Sequence, residues 1–494
     1  MQSNEVAENT EFPDAFRLES AVSAFVYVAL STLLAVTFLG QANGTWDFFA
    51  GWRIATLYLL FAVLVVSRHH FFSDTRTAER SRNYVLGLVA SVVLFEILFR
   101  SRSPGVGLGW FRPLDYAVVF VLVLAAVLVY PDYERFSTTQ LAFVGCFSVL
   151  VGLFFYHSLG VDPNLAASRW PIWASFVAAC NLLVVPRFVS ERAYLWVVAG
   201  LSALATTLGL VAVVGGGYTL LFFDVVPYGS KALPFTGVEL PVVRSLFTNP
   251  NMLGLVTFAG ATASFVEFRR AVADRRWALS VVAASLFGLT SVGLVLSFSR
   301  ASWLAATVTL GLYLAYEFFD RSAIPTVTLV GGVLTLGLVG TVYTGVLPID
   351  PSRRFVLWQA TIDAYTASPS LLGEGHISTS QFIEPYLPAE FDGTNSPHNS
   401  YLSILVRMGL LGFVAYVALV VGAIVHGTSR YQRVNVAMLA MTVGWSVHQL
   451  FEAYTLVQWT TPAVLATIPL GYLLFGDRTG PPNAPDPTDG RNQS

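Results

Sequence analysis

Long apolar runs separated by short polar breaks fill almost the whole chain. About 20 apolar helical residues span a bilayer. Runs near that length fall at about 21–40, 50–66, 83–99, 114–130, 140–159, 170–186, 194–214, 252–268, 278–296, 301–319, 324–346, 402–426, 434–450 and 456–475. The pattern predicts an all-α polytopic integral membrane protein of about 12–14 transmembrane helices. The expected division is a cytoplasmic segment at 1–20, a transmembrane domain at 21–475 and a disordered cytoplasmic tail at 476–494. No cleavable leader is read at the start, where the first twenty residues are polar and acidic.

Two connections are longer than turns. The larger, at 347–398, is too polar for lipid and is expected to carry its own helices. Within it, RRFVLWQATIDAYTA sets Phe355, Trp358, Ile362 and Tyr365 at helical spacing, which predicts an amphipathic helix over the membrane mouth. The other, about 215–251, is expected to re-enter the membrane in part.

Arginines set the orientation. Clusters at Arg68, Arg76, Arg80 and Arg82, at Arg269, Arg270, Arg275 and Arg276, and at Arg430 and Arg433 fall on one side when fourteen spans are counted. That side is read as cytoplasmic, which puts the 347–398 loop outside. Arg100, Arg102 and Arg112 then lie in one outer loop, against the rule.

Composition narrows the class. Of the 494 residues, 55% are hydrophobic and only 12% charged, against roughly 25% charged in a soluble domain. There is little room for a separate soluble domain. A net charge of -2 gives no reason to expect a nucleic-acid partner. The two cysteines, Cys146 and Cys180, sit inside apolar runs and suit neither a disulfide framework nor a zinc site. Sequence patterns for metalloproteases, P-loops and serine hydrolases are absent, and the first outer loop holds a lone Asp47 without a second acid. The expectation is a chain that needs no metal and no cofactor. Internal repeats, common in transporters, are also absent.

Polar residues at the ends of the spans are the candidates for chemistry, because they are costly there unless they face protein, water or a ligand. Arg300 interrupts two apolar runs. It is either a snorkelling anchor or a guanidinium aimed at phosphate, which it matches bidentately. Arg353 and Arg354 open the long loop and read either as interface anchors or as reaching the same anion. His398 closes that loop, either as a helix-entry residue or as a general base whose neutral imidazole accepts a hydroxyl proton. Asn249 and Asn251 flank Pro250 as a turn and cap, or hold sugar hydroxyls. Glu374 and His376, in a tight Gly-Glu-Gly-His turn, are candidates for acceptor binding. His448 and Glu452, four residues apart, are expected on one helical face, lining the cavity or paired with each other.

Taken together, Asn249-Pro250-Asn251, Ser299-Arg300-Ala301-Ser302-Trp303, the Arg354…Trp358 loop start, Pro369…Gly373 and Gly375, and His398-Asn399 resemble the O-antigen ligase/polymerase superfamily. The likeness runs from about Arg244 to Gly412. In that family a glycan is moved from a polyprenyl (pyro)phosphate to an acceptor hydroxyl on the extracytoplasmic face. The fold is GT-C-like with one large extracytoplasmic loop, and the ligases are held to be metal-independent and inverting. The resemblance implies that Arg300 and Arg354 clamp the carrier phosphates, with Arg353 as the substitute for Arg354, and that His398 activates the acceptor. Arg244, Trp358 and Asn399 join the two asparagines, Glu374, His376, His448 and Glu452 as candidate substrate-binding residues. The implied partners are a lipid-linked glycan donor, a glycan, lipid or protein acceptor, and membrane lipids, in the cytoplasmic membrane. A polymerase of the same superfamily is the first alternative, and a transporter or flippase of a lipid-linked glycan the second. The span count exceeds the family's usual dozen by about two.

Overall fold

The computed structural model describes residues 136–161, 178–188, 190–220, 223–233, 236–344, 346, 353–375, 379–391, 396–457 and 460–476. All of them belong to the larger of two compact units, Ala90–Gly109 with Arg135–Ser494. The four apolar runs before residue 131, the outer-loop arginines and His376 lie outside the described residues.

Among the described residues, ten helices of more than ten residues carry the fold: α1 (Thr138–Val161), α2 (Glu191–Gly215), α3 (Pro250–Ala273), α4 (Trp277–Leu296), α5 (Arg300–Phe318), α6 (Ile324–Tyr343), α7 (Arg354–Ala367), α8 (Ser400–Ser429), α9 (Val436–His448) and α10 (Thr461–Phe475). The apolar runs place all but α7 to within a few residues. Among the described residues, five helical segments are long and apolar enough to cross a membrane: Glu191–Gly215, Pro250–Ala273, Trp277–Leu296, Arg321–Tyr343 and Ser400–Ser429. The described part is thus mostly helical and fits a polytopic membrane protein.

Helix starts follow the sequence. Side chains of Ser190, Asn249, Asn399 and Asn435 cap α2, α3, α8 and α9, each accepting a backbone N–H and so satisfying a donor the helix leaves free. Pro250 follows its cap at the first helical position, where a missing N–H costs nothing.

α3 is the central helix, packed against α2, α4 and α5, and its buried residues run round most of its surface. α5 packs on α9, α9 on α10, and α8 on α1. At the far end of α3 from Asn249, Arg270 pairs with Glu191 at 2.7 Å and with Glu267 at 3.1 Å, while Arg192 reaches Glu267 at 2.9 Å. Glu267 is fully buried and accepts from both arginines, so its charge is compensated.

Three expectations need correction. The fold is not purely α: antiparallel hairpins β1–β2 (Tyr218–Leu220, Phe223–Val225) and β3–β4 (Ser230–Ala232, Glu239–Pro241) occupy the 215–251 connection. All three residues of β3 are exposed. The buried stripe of α7 is Leu357, Ala360, Thr361 and Ala364, packed towards Ile383, not the aromatic stripe. Small residues let α7 approach closely on that face, and Phe355 and Trp358 are left to pack towards Tyr343 and Phe451. α8, finally, is not continuous. It breaks at Gly409, with φ 65° and ψ -169°.

The break is filled by the loop after α7. Glu374 N–H donates to Val406 O at 2.8 Å, and Leu410 and Leu411 donate to Ser370 O and Leu371 O, both at 3.1 Å. On the other side, His157 Nε2 of α1 donates to Leu372 O at 2.6 Å. Irregular backbone among membrane helices persists only where protein satisfies it, and here every freed group named has a partner. Gly409→Ala would set a Cβ 2.3 Å from Leu371 O at a left-handed φ. We expect it to cost about 2 kcal/mol or more, read as a lower Tm in detergent. Gly332→Ala in α6, where a Cβ meets nothing within 4 Å, should leave Tm unchanged or raise it by the equivalent of up to about 1 kcal/mol.

Candidate active site

Five chain segments converge at the end of the bundle where α3, α5, α7 and α8 begin and α9 ends. The first residue of α8 is tied to the segment after α9. Ser400 N–H donates to Gln449 O at 2.8 Å, and Ser400 Oγ donates to Glu452 O at 2.7 Å. The same oxygen accepts from Tyr454 N–H at 3.0 Å. The segment after α9 is thereby fixed to the helix that follows His398.

Glu452 is the hub. Its Oε1 accepts from Arg354 Nη2 at 2.9 Å and from Asn251 Nδ2 at 3.4 Å, and its Oε2 lies 3.7 Å from His398 Nδ1. Arg354 Nη1 also donates to Phe451 O. Both side chains of the Arg354–Glu452 pair are only 18% exposed, so screening is weak and the pairing is worth more than a surface ion pair. Burial alone would raise the Glu452 carboxyl. The neighbouring His398 and the Arg354 charge oppose it and hold the group below the usual carboxylate range. Glu452 is therefore an anion at neutral pH.

His398 stands with its side chain 47% exposed and its backbone at φ 46°. The left-handed turn follows Pro397, whose carbonyl accepts from Trp358 Nε1 at 2.8 Å. Trp358 packs on Phe451 with ring centroids 5.7 Å apart. An indole thus pins both the residue before His398 and the residue before Glu452. The adjacent arginines diverge: Arg354 enters the cluster, whereas Arg353 lies over the Phe391 ring, 5.3 Å from its centroid.

Other candidates are placed nearby or in support. Arg300 is the exposed first residue of α5. Two residues on, Ser302 Oγ lies 3.2 Å from His448 Nε2, and His448 Nδ1 lies 3.1 Å from Tyr454 OH. His448 is buried and stacks on Phe258, so it ties the start of α5 to the end of α9. The expected shared helical face of His448 and Glu452 is corrected, because α9 ends at His448 and Glu452 lies beyond it. Asn249 and Asn399 spend their side-chain oxygens as caps, on Asn251 N at 2.8 Å and Leu402 N at 3.0 Å. Arg244 donates to Thr248 O at 3.5 Å and faces Tyr228, 5.8 Å from its ring centroid. Glu374 sits in the loop docked at the α8 break.

The cluster therefore unites His398, Arg354, Asn251, Trp358 and Glu452. Sequence reasoning did not foresee that Ser400 bonds to Glu452 or that Glu452 pairs with Arg354. Ser400 follows the cap Asn399, and nothing in its spacing signals a bond 52 residues away. Chemically, the site offers an anchored guanidinium with N–H groups to spare and an exposed imidazole beside a carboxylate.

Residues 283–417 match the family described as O-antigen ligase. Among curated proteins, none matches the chain. The matched stretch holds Arg300, Arg354, Trp358 and His398, while Asn251 and Glu452 lie outside it.

Proposed function

We propose, from the premise that residues 283–417 make this chain an O-antigen ligase-like protein, that it transfers a glycan from a polyprenyl (pyro)phosphate to an acceptor hydroxyl. One observation carries this reading: the Glu452 carboxylate, within 2.9 Å of Arg354 and 3.7 Å of His398, joins a phosphate-binding cation to a base. Nδ1 of His398 faces the carboxylate, which leaves Nε2 for the acceptor. That division of the ring follows the logic of a carboxylate-oriented imidazole in acyl transfer.

In the reaction, the acceptor oxygen attacks the anomeric carbon as His398 Nε2 takes its proton. The bond from that carbon to the phosphate oxygen breaks, and its electron pair leaves with the pyrophosphate. No general acid is required, because the leaving group is a stable anion. Arg354, with three N–H groups beyond those bound to Phe451 and Glu452, stabilises the charge that develops there. Arg300, exposed at the start of α5, supplies the second cation. Asn251 and Trp358 shape the sugar site. Attack on the face opposite the leaving group inverts the anomeric centre without metal.

The site end faces outward in this reading. The arginine-rich segment at the far end of α3, with Arg269, Arg270, Arg275 and Arg276, then takes the cytoplasmic side of the cell membrane. A GT-C-like arrangement of spans, with α7 and its loop as the covering element, fits the same orientation.

The test is the glycan profile of a deletion strain. Wild-type protein should restore the profile, and His398→Ala should not. Polymer stranded on its carrier marks a ligase, and single repeats mark a polymerase. A normally expressed His398→Ala protein that restores the wild-type profile contradicts the reading.

A further inference from the structure

α8 carries a polar stripe that the reaction above does not use. Ser400, Ser403 and Arg407 are three and four residues apart and so share one helical face. Ser400 is the residue bonded to the Glu452 carbonyl. Arg407 lies seven residues deeper, about 10 Å along the axis. Helical side chains lean towards the N-terminus, which tilts Arg407 towards the Ser403 turn.

Both deeper members are unpartnered. Ser403 Oγ is buried and makes no hydrogen bond. Other buried hydroxyls in helices, including Thr257, Thr262, Thr309 and Thr442, bond back to their own helix. Arg407 is partly buried, and among the described residues its guanidinium makes neither a hydrogen bond nor an ion pair. A cation held among apolar helices without a counter-charge is costly unless an anion visits it. Directly beside this turn, the docked loop presents Leu371, 62% exposed, and Leu372. An apolar approach next to an unpaired guanidinium suits an amphiphile with an anionic head.

We propose that Arg407 and Ser403 form a second oxyanion subsite, which takes the phosphoryl group of the lipid-linked donor farther from the sugar. Arg407 would join Arg354 and Arg300 around the diphosphate, and the prenyl chain would leave past Leu371 and Leu372. The inference rests on the donor class proposed above and adds a binding residue to it. It assigns Arg407 to ground-state binding, below the reacting centre.

The experiment uses full-length protein in phosphatidylcholine nanodiscs and measures binding of undecaprenyl pyrophosphate. Arg407→Gln should weaken binding about 10- to 100-fold, the worth of one charged hydrogen bond. Ser403→Ala should weaken it about fivefold, and Arg407→Lys should fall between wild type and Arg407→Gln. Under turnover, KM should rise in these variants while kcat changes little. Tm in the same nanodiscs separates loss of binding from loss of fold. Unchanged binding in both Arg407→Gln and Ser403→Ala overturns the subsite. So does competition by added phosphatidylglycerol that is lost in Arg407→Gln while pyrophosphate binding stays intact, since the occupant is then an ordinary lipid headgroup. If Arg354→Ala weakens binding and Arg407→Gln does not, only this inference fails. If wild-type protein does not bind the pyrophosphate at all, the donor class itself fails.

Discussion

Replacing His398 with alanine is expected to lower the transfer rate about 10²- to 10⁴-fold, the usual contribution of a positioned general base, with little change in Tm. The imidazole is 47% exposed, so its removal opens no core cavity, and its single described ionic neighbour is Glu452 Oε2 at 3.7 Å. Removing it still leaves Glu452 paired with Arg354 at 2.9 Å. Rate and fold should therefore separate at this position. Steady-state transfer by purified protein, set beside thermal unfolding of the same sample, reads both.

Arg354→Ala should lose rate and stability together. The rate loss, about 10²- to 10³-fold, is that of a fixed donor removed from developing charge. The stability loss comes from Glu452, whose anion would be left at a largely buried site without its main partner. Breaking such a pair from one side costs about 3–5 kcal/mol when fully buried, and the 18% exposure of both side chains places this case towards the lower end. The double variant Arg354→Ala/Glu452→Gln divides the two effects. The amide carries no charge to strand, so Tm should recover much of its loss. Activity should not recover, because the Arg354 guanidinium is still missing from the phosphate. A double variant as unstable as Arg354→Ala alone would show that the stability loss does not come from the stranded Glu452 charge.

The sequence makes the helices legible because lipid imposes one rule on every span. Apolar runs at 252–268 and 278–296 become Pro250–Ala273 and Trp277–Leu296, and capping asparagines at 249, 399 and 435 mark three of the starts. α7 is legible as a helix but not in its orientation. Its aromatic stripe carries the larger apolar signal, yet close packing selects the smaller Ala360, Thr361 and Ala364. The break at Gly409 is hidden because isolated glycines are common in apolar helices. Only the docked 370–374 backbone reveals what this one accommodates.

At the candidate site, the residue types are legible and the wiring is not. His398 and Arg354 stand out because each is a costly residue at the end of an apolar run. Glu452 stands out only as a neighbour of His448, since local spacing is the only relation a sequence displays. Its actual partners are Arg354, 98 residues away, and Asn251, 201 away. Arg407 drew no notice because a lone arginine inside an apolar run resembles a snorkelling residue until its surroundings are known.

The most direct test reconstitutes purified protein in nanodiscs with a lipid-linked glycan and an acceptor. It follows the glycosylated acceptor and the free polyprenyl pyrophosphate together. The account predicts that wild-type protein forms the two in equal amounts and that His398→Ala forms neither at a comparable rate. Wild-type turnover by folded His398→Ala, or pyrophosphate released without any glycosylated acceptor, would contradict it.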